Sequence, residues 1–135
     1  LLILFGQKNS MRVSVFLSFI LVFLMASTTS CDKIHAKKLA KKYQCTVREF
    51  SYMMGTNSWD TVYNQTIEVT RDGTILNVLG YTFHIDSLWK GKEYIEGDVH
   101  NNRKIQFIND SIYFSTYGGG LGGGGGSSYA GIKID

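Results

Sequence analysis

Three histidines are the first groups in this sequence that could do acid–base or metal chemistry. Asp98 and His100 stand two residues apart, as do His84 and Asp86, and residues at that spacing share one face of a strand. Two such pairs would make a metal site only if neighbouring strands aligned them. Zinc sites ordinarily carry tighter ligand spacings, so no metal and no cofactor is expected. A serine–histidine–aspartate set can be drawn in almost any chain, and no nucleophile-elbow motif supports one here. Cys45 sits in the apolar alternation Tyr43, Cys45, Val47 and reads as a small core residue rather than a nucleophile. The tract Gly118, Gly119, Gly120, Leu121, Gly122, followed by four more glycines, invites a phosphate-loop reading. It lacks the lysine and the following helix that such loops require. The expectation is a flexible loop over 118–126, with Gly118 to Gly122 as a candidate contact for a partner. No catalytic residue is assigned, and the chain is expected not to be an enzyme.

A more specific pattern is Asp60-Thr61-Val62, Asp86-Ser87-Leu88 and Asp110-Ser111-Ile112, each an aspartate, a hydroxyl and an aliphatic residue. The triplet resembles the acceptor motif for O-glycosylation of exported Bacteroidetes proteins, which would make Thr61, Ser87 and Ser111 glycan sites. Turn chemistry explains the same triplets, because Asp-Ser and Asp-Thr start turns and an aliphatic residue opens the next strand.

The elements that would position these groups begin after an address signal. Met11-Arg12 precedes an uncharged apolar run over 13–26, and Thr28-Thr29-Ser30-Cys31 follows it. A positive start, an apolar core and small residues before a cleavage point form a secretory signal peptide over 11–30. The run falls short of the roughly 20 residues that a bilayer span needs. Residues 1–10 precede Met11 and are read as upstream, non-native sequence. The small residues before Cys31 resemble the lipobox of bacterial lipoproteins, although that family favours leucine where Thr28 stands. The resemblance implies lipidation of Cys31; a Cys31–Cys45 disulfide is the alternative.

Residues 31–42 hold five lysines and one aspartate, whereas residues 43–135 hold seven basic and ten acidic groups. The first stretch reads as a lysine-rich tether that favours anionic headgroups. The acidic remainder disfavours nucleic acid. Lipoproteins sent to the outer face in Bacteroidetes resemble one another in an acidic run after the cysteine. The basic run here therefore implies a periplasm-facing position in the cell envelope.

From Lys42 the pattern is short alternating segments separated by turns. It predicts an all-β domain over 43–135: an antiparallel meander of seven or eight short strands forming a small barrel or strongly curved sheet. A change of parity between Val47 and Phe50 predicts a bulge near Arg48 and Glu49, and the polar stretch GTNSWD at 55–60 reads as a loop. Asp72-Gly73, Asn101-Asn102 and Asn109-Asp110 are the expected turns. Sixteen Tyr and Phe residues supply enough bulk to fill such a barrel. Closure would remove sheet edges, and a monomer is expected on that ground.

The order of TIEVTRDG, NVLGYTFHIDSL, GKEY, FINDSIYFST and GGGLGGGGGSSYAG after Cys31 resembles small uncharacterised Bacteroidetes lipoproteins. That resemblance implies an exported, anchored, β-rich domain and carries no site residues. The expected role is a membrane-anchored, non-enzymatic binding or structural module, contacting an envelope protein or glycan. A lipocalin-like carrier of a small apolar ligand, or a hydrolase inhibitor using the glycine tract, are the alternatives. A carrier would need an interior cavity of roughly 300 Å³ or more.

Overall fold

The computed structural model describes residues 31–55, 58–88 and 91–134. The chain divides into two compact units, Leu1–Ile34 and His35–Asp135, and the second holds the sheet. The expected upstream segment and signal peptide lie outside the described residues. Helix α1 covers residues 31–39. Eight strands follow: β1 (Lys42–Met53), β2 (Trp59–Asp72), β3 (Ile75–Val78), β4 (Tyr81–His84), β5 (Tyr94–Gly97), β6 (Asn101–Ile108), β7 (Ser111–Gly120) and β8 (Gly123–Ile134). A one-turn helix α2 (Ile85–Leu88) lies between β4 and β5.

All strands belong to one antiparallel sheet in the order β4-β3-β2-β1-β8-β7-β6-β5, strongly curled into a half-barrel. Among the described residues, every strand pairs with its neighbour in sequence except across the step from β4 to β5, and β8 returns to pair with β1. The expected all-β meander is therefore the observed fold. Side chains span the unpaired step. Phe83 of β4 meets Tyr94 of β5 edge to face at 6.0 Å, and Tyr81 of β4 meets Phe114 of β7 at 5.7 Å.

Alternation builds the core. Tyr43, Cys45 and Val47 of β1, Ile67 and Val69 of β2, Ile105 and Phe107 of β6, and Ile112 and Phe114 of β7 are all buried on the concave face. Leu76, Val78, Phe83, Ile85 and Leu88 close the base. Part of the lysine-rich segment belongs to this core: Ala36 is fully buried, Leu39 and Ala40 pack against it, and the Tyr43 hydroxyl donates to the Leu39 carbonyl at 2.9 Å. Burial, with the nearby Asp110 and Cys45, pushes the Tyr43 phenol up to about 12.

Four local expectations are corrected. No bulge occurs near Arg48 and Glu49, because β1 and β2 keep one-to-one register from Lys42 to Ser51. Parity changes there because the chain leaves the core: the inward residues Glu49 and Ser51 are polar, while Phe50 and Tyr52 face outward. Asn101 and Asn102 lie in β6, and the turn precedes them at residues 98–100. There the Asp98 carboxylate accepts from the Asn101 and His100 amides, at 2.9 and 2.8 Å. Those bonds stabilise the ionised form and hold its pKa below the usual carboxylate value. Trp59 and Asp60 open β2 rather than lying in a loop. Finally, the glycine tract is a paired hairpin and not a flexible loop. Gly118, Gly119 and Gly120 pair with Gly125, Gly124 and Gly123, which leaves Leu121 and Gly122 as the turn.

Candidate binding surface

The strands are unequal in a way that creates a surface. β1, β2, β7 and β8 run to 10–14 residues, but β3 and β4 have four each. The long strands therefore continue past the closed core, and their concave face is a trough open to solvent. Register fixes its floor in rows. One row runs Trp59, Ser51, Gly125, Gly118, Asn101; the next runs Thr61, Glu49, Ser127, Thr116, Arg103, Glu96; a third begins Tyr63, Val47, Tyr129, Phe114.

These rows combine flat rings with planar or hydroxyl polar groups. Trp59 is 50% exposed and Tyr63 is 37% exposed. The Tyr63 hydroxyl donates to Glu49 Oε1 at 2.8 Å, and that bond raises the phenol's pKa above its ordinary value. Thr116 and Ser127 hydroxyls are 3.0 Å apart. On the far wall the Arg103 guanidinium lies 4.7 Å over the Tyr81 ring and 3.7 Å from Glu96. Tyr81, Glu96, Asn101, Arg103 and Thr116 help to line a groove of about 230 Å³ at this wall. A second groove of about 220 Å³, between β6, β7 and β8, has Lys104, Gln106, Tyr113 and Ser128 in its lining.

The opposite face of the same strands is held by rings over glycine. Phe50 and Tyr117 stack at 6.5 Å on either side of Gly126, and the Tyr52 and Tyr117 hydroxyls meet at 2.8 Å. Rings laid across glycine cover backbone that would otherwise be wet. That bonding raises the Tyr117 phenol from its ordinary value.

The residues singled out from sequence are scattered. Cys31 is exposed and Cys45 is buried, both as free thiols, and burial raises the Cys45 thiol. Thr61 is exposed in the trough, mid-strand rather than in a turn. Ser87 is half-buried in α2, and Ser111 is half-buried as the first residue of β7 after the Asn109-Asp110 turn. His84 ends β4 and His100 lies in the β5–β6 turn, so the two aspartate–histidine pairs are on different elements. Among the described residues no group of three metal-ligating side chains converges. Gly118, Gly119 and Gly120 are strand residues, and Leu121 is fully exposed at the turn.

The trough residues Trp59, Tyr63, Glu49, Thr116, Ser127 and Arg103 were not apparent as a site in the sequence. Their one signal is the alternation Trp59, Thr61, Tyr63, Gln65, which puts aromatic and polar groups on a single face. No protein-family model matches the chain, and comparison with curated proteins and with solved structures finds no match, so its site stands on its own geometry.

Proposed function

We propose that this chain is a non-enzymatic envelope lipoprotein, anchored through Cys31, whose β domain binds a glycan in the concave trough. The observation that carries the binding reading is that the exposed rings of Trp59 and Tyr63 share the concave face with Glu49, Thr61, Thr116, Ser127 and Arg103. Aromatic rings pack against the apolar faces of sugar rings, while hydroxyls, carboxylate and guanidinium satisfy sugar hydroxyls. An interior occupied by Tyr43, Ile105, Ile112 and Phe114 weighs against a carrier. Supporting the anchor, Cys31 is exposed, and each buried acyl methylene would contribute about 0.8 kcal/mol to membrane attachment.

Two measurements test the two halves of this reading. Cys31→Ser should move the protein from membranes to the soluble exported fraction, or leave it as an uncleaved precursor. A C31S protein still cleaved after Ser30 and still membrane-bound would sink the anchor. For the trough, calorimetric titration with oligosaccharides released from bacterial envelopes should show binding that Trp59→Ala weakens at least about tenfold, since a stacked ring is worth roughly 1.4 kcal/mol or more. Unchanged affinity in W59A removes the glycan reading. One observation favours a second reading: Leu121, fully exposed on a two-residue turn between paired strands, is presented as an inhibitor presents a contact residue. Recovery of an envelope hydrolase that depends on Leu121 and not on Trp59 would select it.

A further inference from the structure

From Trp59 to Thr66, β2 is exposed residue after residue, on both faces of the sheet. On one edge it pairs with β1; on the other, β3 takes only Val69 to Asp72. Among the described residues no strand pairs with the second edge between Trp59 and Glu68. A row of backbone N–H and C=O groups is thus presented sideways, where another strand can add.

Natural sheets blunt such edges with shortness, proline, lysine, bulges or inward-pointing charge. This edge has none of them. It pairs one to one with β1 through Glu68, the chain contains no proline, and residues 59–68 contain no lysine. Its concave side, Trp59, Thr61, Tyr63, Gln65 and Ile67, carries no charge. The expected monomer rested on a closed barrel without edges, and closure stops short here.

We propose that this edge is the seam of a homodimer, in which β2 pairs antiparallel with β2 of a second copy about a two-fold axis at Tyr63. The strand's own sequence argues for a second copy. An isologous contact must be self-complementary. With the axis at Tyr63, Trp59 lies opposite Ile67 of the partner subunit, Asp60 opposite Thr66 of the partner subunit, and Val62 opposite Asn64 of the partner subunit. The exposed positions from Asp60 to Thr66 set hydroxyl, amide and ring side chains against one another, and no like charges meet. Moving the axis to Asn64 would set Asp60 against Glu68 of the partner subunit, which disfavours that register. Asp60 itself is already held by Arg48 through three hydrogen bonds, at 2.5, 3.0 and 3.1 Å. The axis stands perpendicular to the sheet, so both concave faces point the same way and the two troughs become continuous. The proposal does not depend on what the trough binds.

The test is sedimentation equilibrium of the full chain in density-matched detergent, with V62K/N64K and V62K/N64E beside the wild type. Val62 and Asn64 are exposed on the convex side, away from the trough. In the proposed register V62K stands opposite the partner's position 64. The double lysine therefore opposes like charges twice, and the lysine–glutamate variant opposes unlike charges twice. The wild type and V62K/N64E should be dimers, and V62K/N64K should weaken the dimer at least about tenfold. Thermal melts of the two variants should agree closely with each other at low concentration, because both place V62K opposite Arg48 and both lose the Thr46–Asn64 hydrogen bond. A monomeric wild type, a V62K/N64K dimer as tight as wild type, a V62K/N64E variant as weak as V62K/N64K, or assemblies growing beyond two would each overturn the proposal.

Discussion

Phe114→Ala should lower the unfolding free energy by about 3–5 kcal/mol, the cost of deleting a buried aromatic ring and leaving a cavity. Phe114 is 2% exposed and is the hub of the interior rings, with Tyr81 at 5.7 Å, Tyr129 at 5.8 Å and Phe83 at 6.2 Å. Tyr81 and Phe83 belong to β4, the strand at the open edge, so this ring substitutes for the backbone pairing that β4 lacks toward β5. Domains have roughly 5–15 kcal/mol in total, so the loss is a large fraction of stability. Amide exchange should show β4 and β3 opening before β1, β7 and β8. Urea denaturation gives the magnitude. If F114A costs under about 1 kcal/mol, the value typical of positions off the core, the rings do not close the half-barrel.

Most of the fold was legible because one period dominates. Strands half-buried on a curved sheet alternate strictly, and Tyr43, Cys45, Val47 or Ile105, Phe107 mark their inward faces without ambiguity. Asp72-Gly73 and Asn109-Asp110 marked turns because Gly73 and Asn109 adopt positive φ there, 59° and 53°. Asn101-Asn102 misled for a related reason. The turn-forming residue was Asp98, whose carboxylate bonds the next amides, and the asparagines only follow it into β6.

The trough was hidden for a different reason. It lies where strands outrun the core, so its inward positions are polar, and alternation of burial stops at Val47 on β1 and at Phe114 on β7. Nothing in a single strand shows which neighbours it will face. Trp59 becomes a site residue only because register sets it level with Ser51, Gly125 and Gly118. Glycine gave the wrong sign altogether. Its conformational freedom suggested a mobile loop, yet here it permits strands to approach closely beneath Phe50, Tyr52 and Tyr117.

That difference predicts opposite responses within one tract. At Gly126 an added Cβ would overlap the Thr116 carbonyl oxygen and stand 3.2 Å from the Thr116 carbonyl carbon and Tyr117 Cα, all backbone atoms of the paired strand. Neither neighbour can yield easily, since β8 is hydrogen-bonded to β7 on one side and to β1 on the other. Gly126→Ala should therefore destabilise the domain by about 2–4 kcal/mol, in the range of forced overpacking. For a domain near 100 residues each kcal/mol moves the midpoint by about 4–8 °C, so a fall on the order of 10–25 °C is expected. At Gly122 a Cβ meets nothing within 4 Å, and the backbone is not left-handed. Gly122→Ala should be neutral or stabilise by up to about 1 kcal/mol, because alanine restricts the unfolded chain without straining the folded one. A flexible loop would give similar small effects at both positions, whereas a packed hairpin separates them. Melting curves of the two variants, four residues apart in the same glycine run, decide between those pictures.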